Sequence, residues 1–340
     1  MFVGFSAFEA CADSLWRKAG IRSGSLEYYL KSIFSLEKVL MTSQIPVLLD
    51  TDIGSDIDDA VALAYLLRQP RCELLGITTV SGEPEKRAAL ASSVLHAAGR
   101  TEIPVHVGIE APLLRSQNQP KAPQAEALTD DWVHDTYEKR VTAIEFLRET
   151  IRSRPGEIVL MPIGPLTNIA VLFAIDPEIP SLLKGITMMG GLFYGKMGWG
   201  GAGEWNIVCD PHAAAKVFAA PVKEFTMIGL DVTVPCTLPA EECRTRFAKA
   251  GGALAPVAAM AEVWFRERPY LVFHDPLAAA CLFEPSLCTY EDKQIVVDLH
   301  SLIAQGQTLI VPHTDITPHH IAKTVDTKRF FDHYFETVGG

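Results

Sequence analysis

Five aspartates, Asp50, Asp52, Asp56, Asp58 and Asp59, fall within ten residues at the end of the apolar run Pro46-Val-Leu-Leu. So many like charges stay ionised together only where a cation or several hydrogen-bond donors compensate them. Acids that cap a helix N-terminus account for one or two of the five, not for all. With no Cys or His beside them, an oxygen-only set favours a hard cation, Ca²⁺ or Mg²⁺, over zinc or iron. The loop is not an EF-hand. Counted from Asp50, Gly54 and Ser55 stand where an oxygen ligand and the invariant glycine belong, and the twelfth residue is Val61.

A second group with chemistry is Phe273-His274-Asp275-Pro276. Imidazole titrates near neutral pH and can pass a proton to a leaving group. Alone, the pair reads equally as a core histidine beside a helix-capping aspartate. The turn Ile163-Gly164-Pro165 offers a fixed backbone carbonyl that could complete a cation site. Gly190-Gly191 permits close backbone approach to a ligand, and Glu204-Trp205-Asn206 closes the glycine-rich stretch 194–203. That stretch has neither G-x-G-x-x-G nor P-loop spacing, so it is not read as a phosphate cradle.

The elements that must position these groups alternate between strand and helix. Residues 46–50 predict a strand, followed across the acidic loop by an Ala/Leu-rich helix. Strands are expected at 74–80, 105–108, 157–163, 186–189, 224–231, 294–298 and 308–311. Helices are expected at 83–98, 142–153, after Gly164-Pro165, after Asp275 and at 327–337. Such alternation implies an α/β fold, a mostly parallel sheet with helices on both faces and ligands beyond the carboxyl ends of the strands. Residues 111–132, polar and aperiodic, read as a surface loop and a candidate lid.

A formal net charge of −11 disfavours nucleic acid or an anionic membrane as partner. No apolar run reaches the ~18 residues of a spanning helix. Seven scattered cysteines without a C-x-x-C pair read as buried thiols of a reducing cytoplasm. Residues 1–40 differ from the rest and read as an N-terminal extension dispensable for chemistry, or an added packing helix at 27–40; residues 41–340 read as one catalytic domain.

Five motifs, LLDTDIGSDIDDA, MPIGPLTNIA, MMGG followed by EWN, GLDVT and FHDPLA, stand in this order from Ile45 to the C-terminus. Together the chain resembles the inosine-uridine preferring nucleoside hydrolases. That resemblance implies a Rossmann-like fold, a homodimer or homotetramer, and calcium-dependent hydrolysis of ribonucleosides to free base and ribose. Carried over by position, Asp52 is the general base for a Ca²⁺-bound water and itself a Ca²⁺ ligand. Asp59, the Ile163 carbonyl and Asp275 complete the protein's ligands. Asp58 binds ribose hydroxyls and Asp50 holds the loop. Met189, Glu204 and Asn206 contact the sugar, and His274 serves the leaving base.

The chain departs from the family pattern in three places. Two extra residues separate Gly54 from Asp58-Asp59, which leaves Asp56 as the alternative occupant of one of their roles. Glu83 replaces the family's ribose-binding Asn and can accept a hydrogen bond from a hydroxyl but not donate one. The 111–132 stretch lacks the His-Gly-x-Asp-Gly pattern, so base contacts do not transfer. Trp199 and Trp205 read either as stacking surfaces for a base or as packing. The rival functions are a nucleoside- or calcium-binding protein without turnover, and a Mg²⁺-dependent phosphatase built on Asp50-Thr-Asp52. The phosphatase reading leaves GPLTN, MMGG and FHDP unexplained.

Overall fold

The computed structural model describes residues 44–195, 203–312 and 315–339. Residues 1–40 and Trp199 lie outside them. Strand β1 (Ile45–Thr51) sends Val47 and Leu49 into one buried cluster and Leu48 into another. A strand covered on both faces has no polar alternation, which is why its sequence is an unbroken apolar run.

Around β1 lie β2 (Cys72–Thr79), β3 (Val105–His106), β4 (Val159–Pro162), β5 (Gly185–Met189) and β6 (Phe225–Ile228). Two short strands, β7 (Thr237–Pro239) and β8 (Tyr270–Val272), pair separately. Beyond β6 come β9 (Cys288–Val297), β10 (Thr308–Val311) and β11 (His319–Val325). The main sheet runs β10-β9-β11-β6-β5-β4-β1-β2-β3, and only β9 runs against the others, antiparallel to both β10 and β11. Strand order reverses beside β1, and such a switch point opens a crevice at the carboxyl ends of the strands. The loops after β1 and β4 flank it.

The helices that carry site residues are α1 (Asp58–Arg68), α2 (Pro84–Ala98), α3 (Thr167–Ile175), α4 (Trp205–Cys209) and α5 (His274–Phe283). The last helix, α6 (Thr327–Gly339), packs on α1: the Tyr334 hydroxyl donates to the Val61 carbonyl at 2.9 Å, and its ring stacks on Tyr65 with centroids 5.7 Å apart. Among the described residues no helix is long and apolar enough to cross a membrane. The described cysteines are buried free thiols.

Three local expectations change. No strand is expected at His319–Val325, whose HHIAKTV is half polar; pairing of His320 with Thr226 on one side and Asp292 on the other makes it β11. The strand expected to run to Asp231 ends at Ile228, because Gly229 starts a helical turn there. Asp231 instead accepts from the amides of Phe193 (2.7 Å), Tyr194 (2.9 Å) and Gly195 (2.6 Å) and fixes the chain after β5. Finally, His274 and Asp275 lie inside the first turn of α5 rather than ahead of it.

Candidate active site

Strand β1 ends in the crevice, and α1 begins only at Asp58, so the intervening loop turns its acids inward. Asp58, Asp59 and Asp275 are each 3 % exposed, and their carboxylate oxygens lie within 4.8 Å of one another. The start of α5 joins the start of α1 directly, since the Asp275 amide donates to Asp58 Oδ2 at 3.0 Å. Thr51 Oγ1 donates to Asp59 Oδ1 at 2.5 Å. Burial, followed by mutual repulsion, pushes all three carboxyls well above the usual carboxylate range. Asp56 lies outside this group, and burial raises it to about 7.

Asp50 takes no part in the cluster. Its Oδ2 accepts from Thr78 Oγ1 at 2.5 Å and Asn168 Nδ2 at 2.7 Å, tying β1 to β2 and α3. Burial lifts it to about 7. Asp52 is buried and electrostatically coupled to Asp58, Asp59 and Asp275, yet it stands outside the 4.8 Å group. Its Oδ2 accepts from Gln119 Nε2, and its Oδ1 lies where a Cβ on Gly164 would be 2.6 Å away. That close approach is the physical reason for glycine in the Gly164-Pro165 turn.

Two organising residues are absent from the sequence reading. Arg87 on α2 is fully buried and donates to the carbonyls of Gly82 (2.7 Å), Asp52, Ile53 (3.2 Å) and Lys121 (2.8 Å) and to Ser55 Oγ (2.9 Å). It is a cation beneath the acidic loop and the loop's main scaffold. Gln119, 7 % exposed, comes from the stretch expected to be a mobile lid. That stretch is instead pinned: the Leu113 amide donates to Asp210 Oδ2 (2.8 Å), Arg115 to the Val208 carbonyl (2.8 Å), and the Gln124 amide to the Gly54 carbonyl (3.1 Å). Only the Gln-Pro step at 119–120 hints at a fixed extended backbone.

The expected sugar-side residues divide. Asn206 Nδ2 donates to the Ile163 carbonyl at 2.8 Å and approaches the Met189 carbonyl at 3.5 Å, so these three meet. Glu204 caps α4 by accepting from the amides of Asn206 (2.8 Å) and Ile207 (3.1 Å), and also accepts from Gly191 (3.2 Å). Burial holds it at about 7. Glu83 does not join them. Its carboxylate is committed to Lys86 (2.7 Å), Lys121 (3.1 Å) and the Ala122 amide (2.9 Å). Against partial burial, those partners lower it to about 2. This corrects the reading of Glu83 as a free acceptor for ribose, because its lone pairs bind the 121–122 segment instead.

His274 Nδ1 is 2.7 Å from Thr233 Oγ1, and burial pulls the ring down to about 4. That shift favours the neutral imidazole, because a buried ring loses the hydration that stabilises its charged form. Trp205 is 52 % exposed, with its indole nitrogen donating to Gln119 Oε1 at 2.6 Å.

The donor set fits a hard divalent cation. Three buried carboxylates converge with no cationic side chain among the described residues hydrogen-bonded to them, and all the converging atoms are oxygen. A family model for inosine-uridine preferring nucleoside hydrolases matches residues 47–332. The chain is 31 % identical over 279 residues to the pyrimidine-specific ribonucleoside hydrolase RihA of Escherichia coli O1:K1 / APEC, covering 78 % of this chain and 88 % of that one. It is 32 % identical over 287 residues to RihA of Shewanella sp. (strain ANA-3), covering 78 % and 86 %. Its fold is similar to a purine-preferring ribonucleoside hydrolase from Gardnerella vaginalis, with a TM-score of 0.74 at 25 % identity over 87 % of this chain and 98 % of that one.

Proposed function

The chain belongs to the inosine-uridine preferring nucleoside hydrolase family, a metal-dependent hydrolase acting on ribonucleoside N-glycosidic bonds, and from this premise we propose that it works with Ca²⁺ and with Asp52 as general base. The observation that carries the reading is the convergence of Asp58, Asp59 and Asp275 within 4.8 Å at the sheet's switch point. Asp59, Asp275, Asp52 and the Ile163 carbonyl would hold the ion, with Asp58 beside them for the ribose hydroxyls. When bound, a divalent cation acidifies water and orients a sugar diol.

Cleaving the N-glycosidic bond builds positive charge on the ribose as the bond to the base lengthens. Buried carboxylates stabilise that charge, and Asp52 takes the proton of the attacking water at its carboxylate. Asn206, fixed on the Ile163 carbonyl, and Glu204, fixed by three amides, form the sugar wall with Met189. His274, oriented by Thr233, serves the leaving base through its Nε2 side, where a hydrogen bond strengthens as negative charge develops. Because the resting ring is neutral, it acts as a fully charged acid only if the bound substrate raises its affinity for the proton.

Buried free thiols support a reducing cytoplasmic setting, and a homodimer or homotetramer is part of the proposal, to be read by sedimentation. The test of function is ribose release from a panel of purine and pyrimidine ribonucleosides, with and without chelator. Reducing sugar should appear, vanish with chelator and return with Ca²⁺. Ligand binding without sugar release would favour the non-turnover reading.

A further inference from the structure

We propose that Gln119 is a positioning residue for Asp52, oriented by Trp205, so that the exposed rim of the site and its general base are mechanically linked. The proposal rests on the reading of Asp52 as proton acceptor. Between residues 111 and 121, Gln119 alone is buried. A buried amide is costly unless both of its ends are bonded, and here both are. Nε2 donates to Asp52 Oδ2, and Oε1 accepts from Trp205 Nε1 at 2.6 Å.

Chemistry fixes which end faces which. An indole N–H can only donate, so the amide oxygen must face Trp205 and the NH₂ must face the carboxylate. Trp205 thus prevents the amide from flipping, and a flipped amide would set oxygen against oxygen at Asp52. The backbone around Gln119 is equally constrained. Its carbonyl accepts from the Gly82 amide at 3.2 Å, its amide donates to Gln117 Oε1 at 2.8 Å, and Pro120 follows. A Cβ on Gly82 would sit 2.4 Å from the Gln119 carbonyl, so the turn after β2 and this segment are in direct backbone contact. The result is one donor held on one oxygen of Asp52 by a chain of contacts that ends at a half-exposed ring.

Three variants test the link: Trp205→Phe, which keeps an aromatic ring but removes the donor along with part of the side chain, Gln119→Met, which keeps the size and removes both bonds, and the double variant. Each single variant should lower kcat on a ribonucleoside by about 10- to 100-fold with KM changed by less than about twofold, the usual scale for a residue supporting a ligand. The double variant should be no slower than Gln119→Met, because the two act through one contact. Titrated calorimetrically with Ca²⁺ alone, Gln119→Met should bind at least about tenfold more weakly. Losses that multiply in the double variant, or that fall on KM with kcat kept, would overturn the link and leave Trp205 a surface for the base. If Gln119→Met fails to fold, Trp205→Phe decides by its kcat. Activity retained by Asp52→Asn would instead remove the general-base reading itself.

Discussion

Replacing Arg87 by methionine keeps much of the buried volume and removes every hydrogen bond the guanidinium makes. The carbonyls of Gly82, Asp52 and Ile53 lose the donor that Arg87 gives them, and Lys121 keeps only a 3.4 Å contact from Ser55. An orphaned buried carbonyl costs about 1–3 kcal/mol, and removing the guanidinium relieves part of that by ending its own desolvation, so a net loss of about 4 kcal/mol is expected. That is a large share of the roughly 5–15 kcal/mol that holds a domain together. For a chain of this size it lowers the melting temperature by about 6 °C. Arg87→Lys keeps the charge but not the planar fork and should lose about half as much. Scanning calorimetry in chelator reads both values without a bound ion masking them. A methionine variant that melts within about 2 °C of the wild type would refute the claim that Arg87 carries the acidic loop.

Other perturbations have equally definite outcomes. Asp50, Asp56 and Glu204 are held at about 7 by burial, above the roughly 4 of an unfolded chain. Their stabilising share is therefore present below pH 4 and lost as pH rises through about 7. In chelator the melting temperature should fall between about pH 5 and 7, with excess Ca²⁺ flattening the slope; a rise over that window would contradict it. His274→Ala should slow natural nucleosides far more than a nitrophenyl riboside, whose leaving group needs no help, and equal losses on both would end its leaving-group role. Gly164→Ala forces a Cβ to within 2.6 Å of Asp52 Oδ1. It should cut kcat by about 100-fold, measured by ribose release, and wild-type turnover would show that Asp52 tolerates displacement.

Legibility in the sequence followed the range of the physical cause. β1 announced itself because burial on both faces leaves a local apolar run, and the acids of its loop stand out because five like charges within ten residues need an explanation. His274-Asp275 was recognisable beside a proline-started helix, though which turn they occupied was not. The strand His319–Val325 was hidden, since only its pairing with β6 and β9 makes a half-polar heptapeptide extended. Arg87 and Gln119 were hidden for the same kind of reason. They reach Asp52 across separations of 35 and 67 residues, and one surface-type residue in a helix or a polar loop gives no local sign of the partner it will meet. Glu83 shows the converse: its position matched the family motif, but Lys86, Lys121 and the Ala122 amide had first claim on it.

The amide of Asp275 meets Asp58 across 217 residues, and Tyr334, in the last helix, meets Val61 across 273. A chain emerging from the ribosome therefore exposes its aspartate run long before the segments that answer it have been synthesised. Contacts of such separation form late and slowly. Until those segments arrive, Asp58 and Val61 lack the partners that hold them in the finished fold, and removing only the last turns of α6 would loosen the footing of α1.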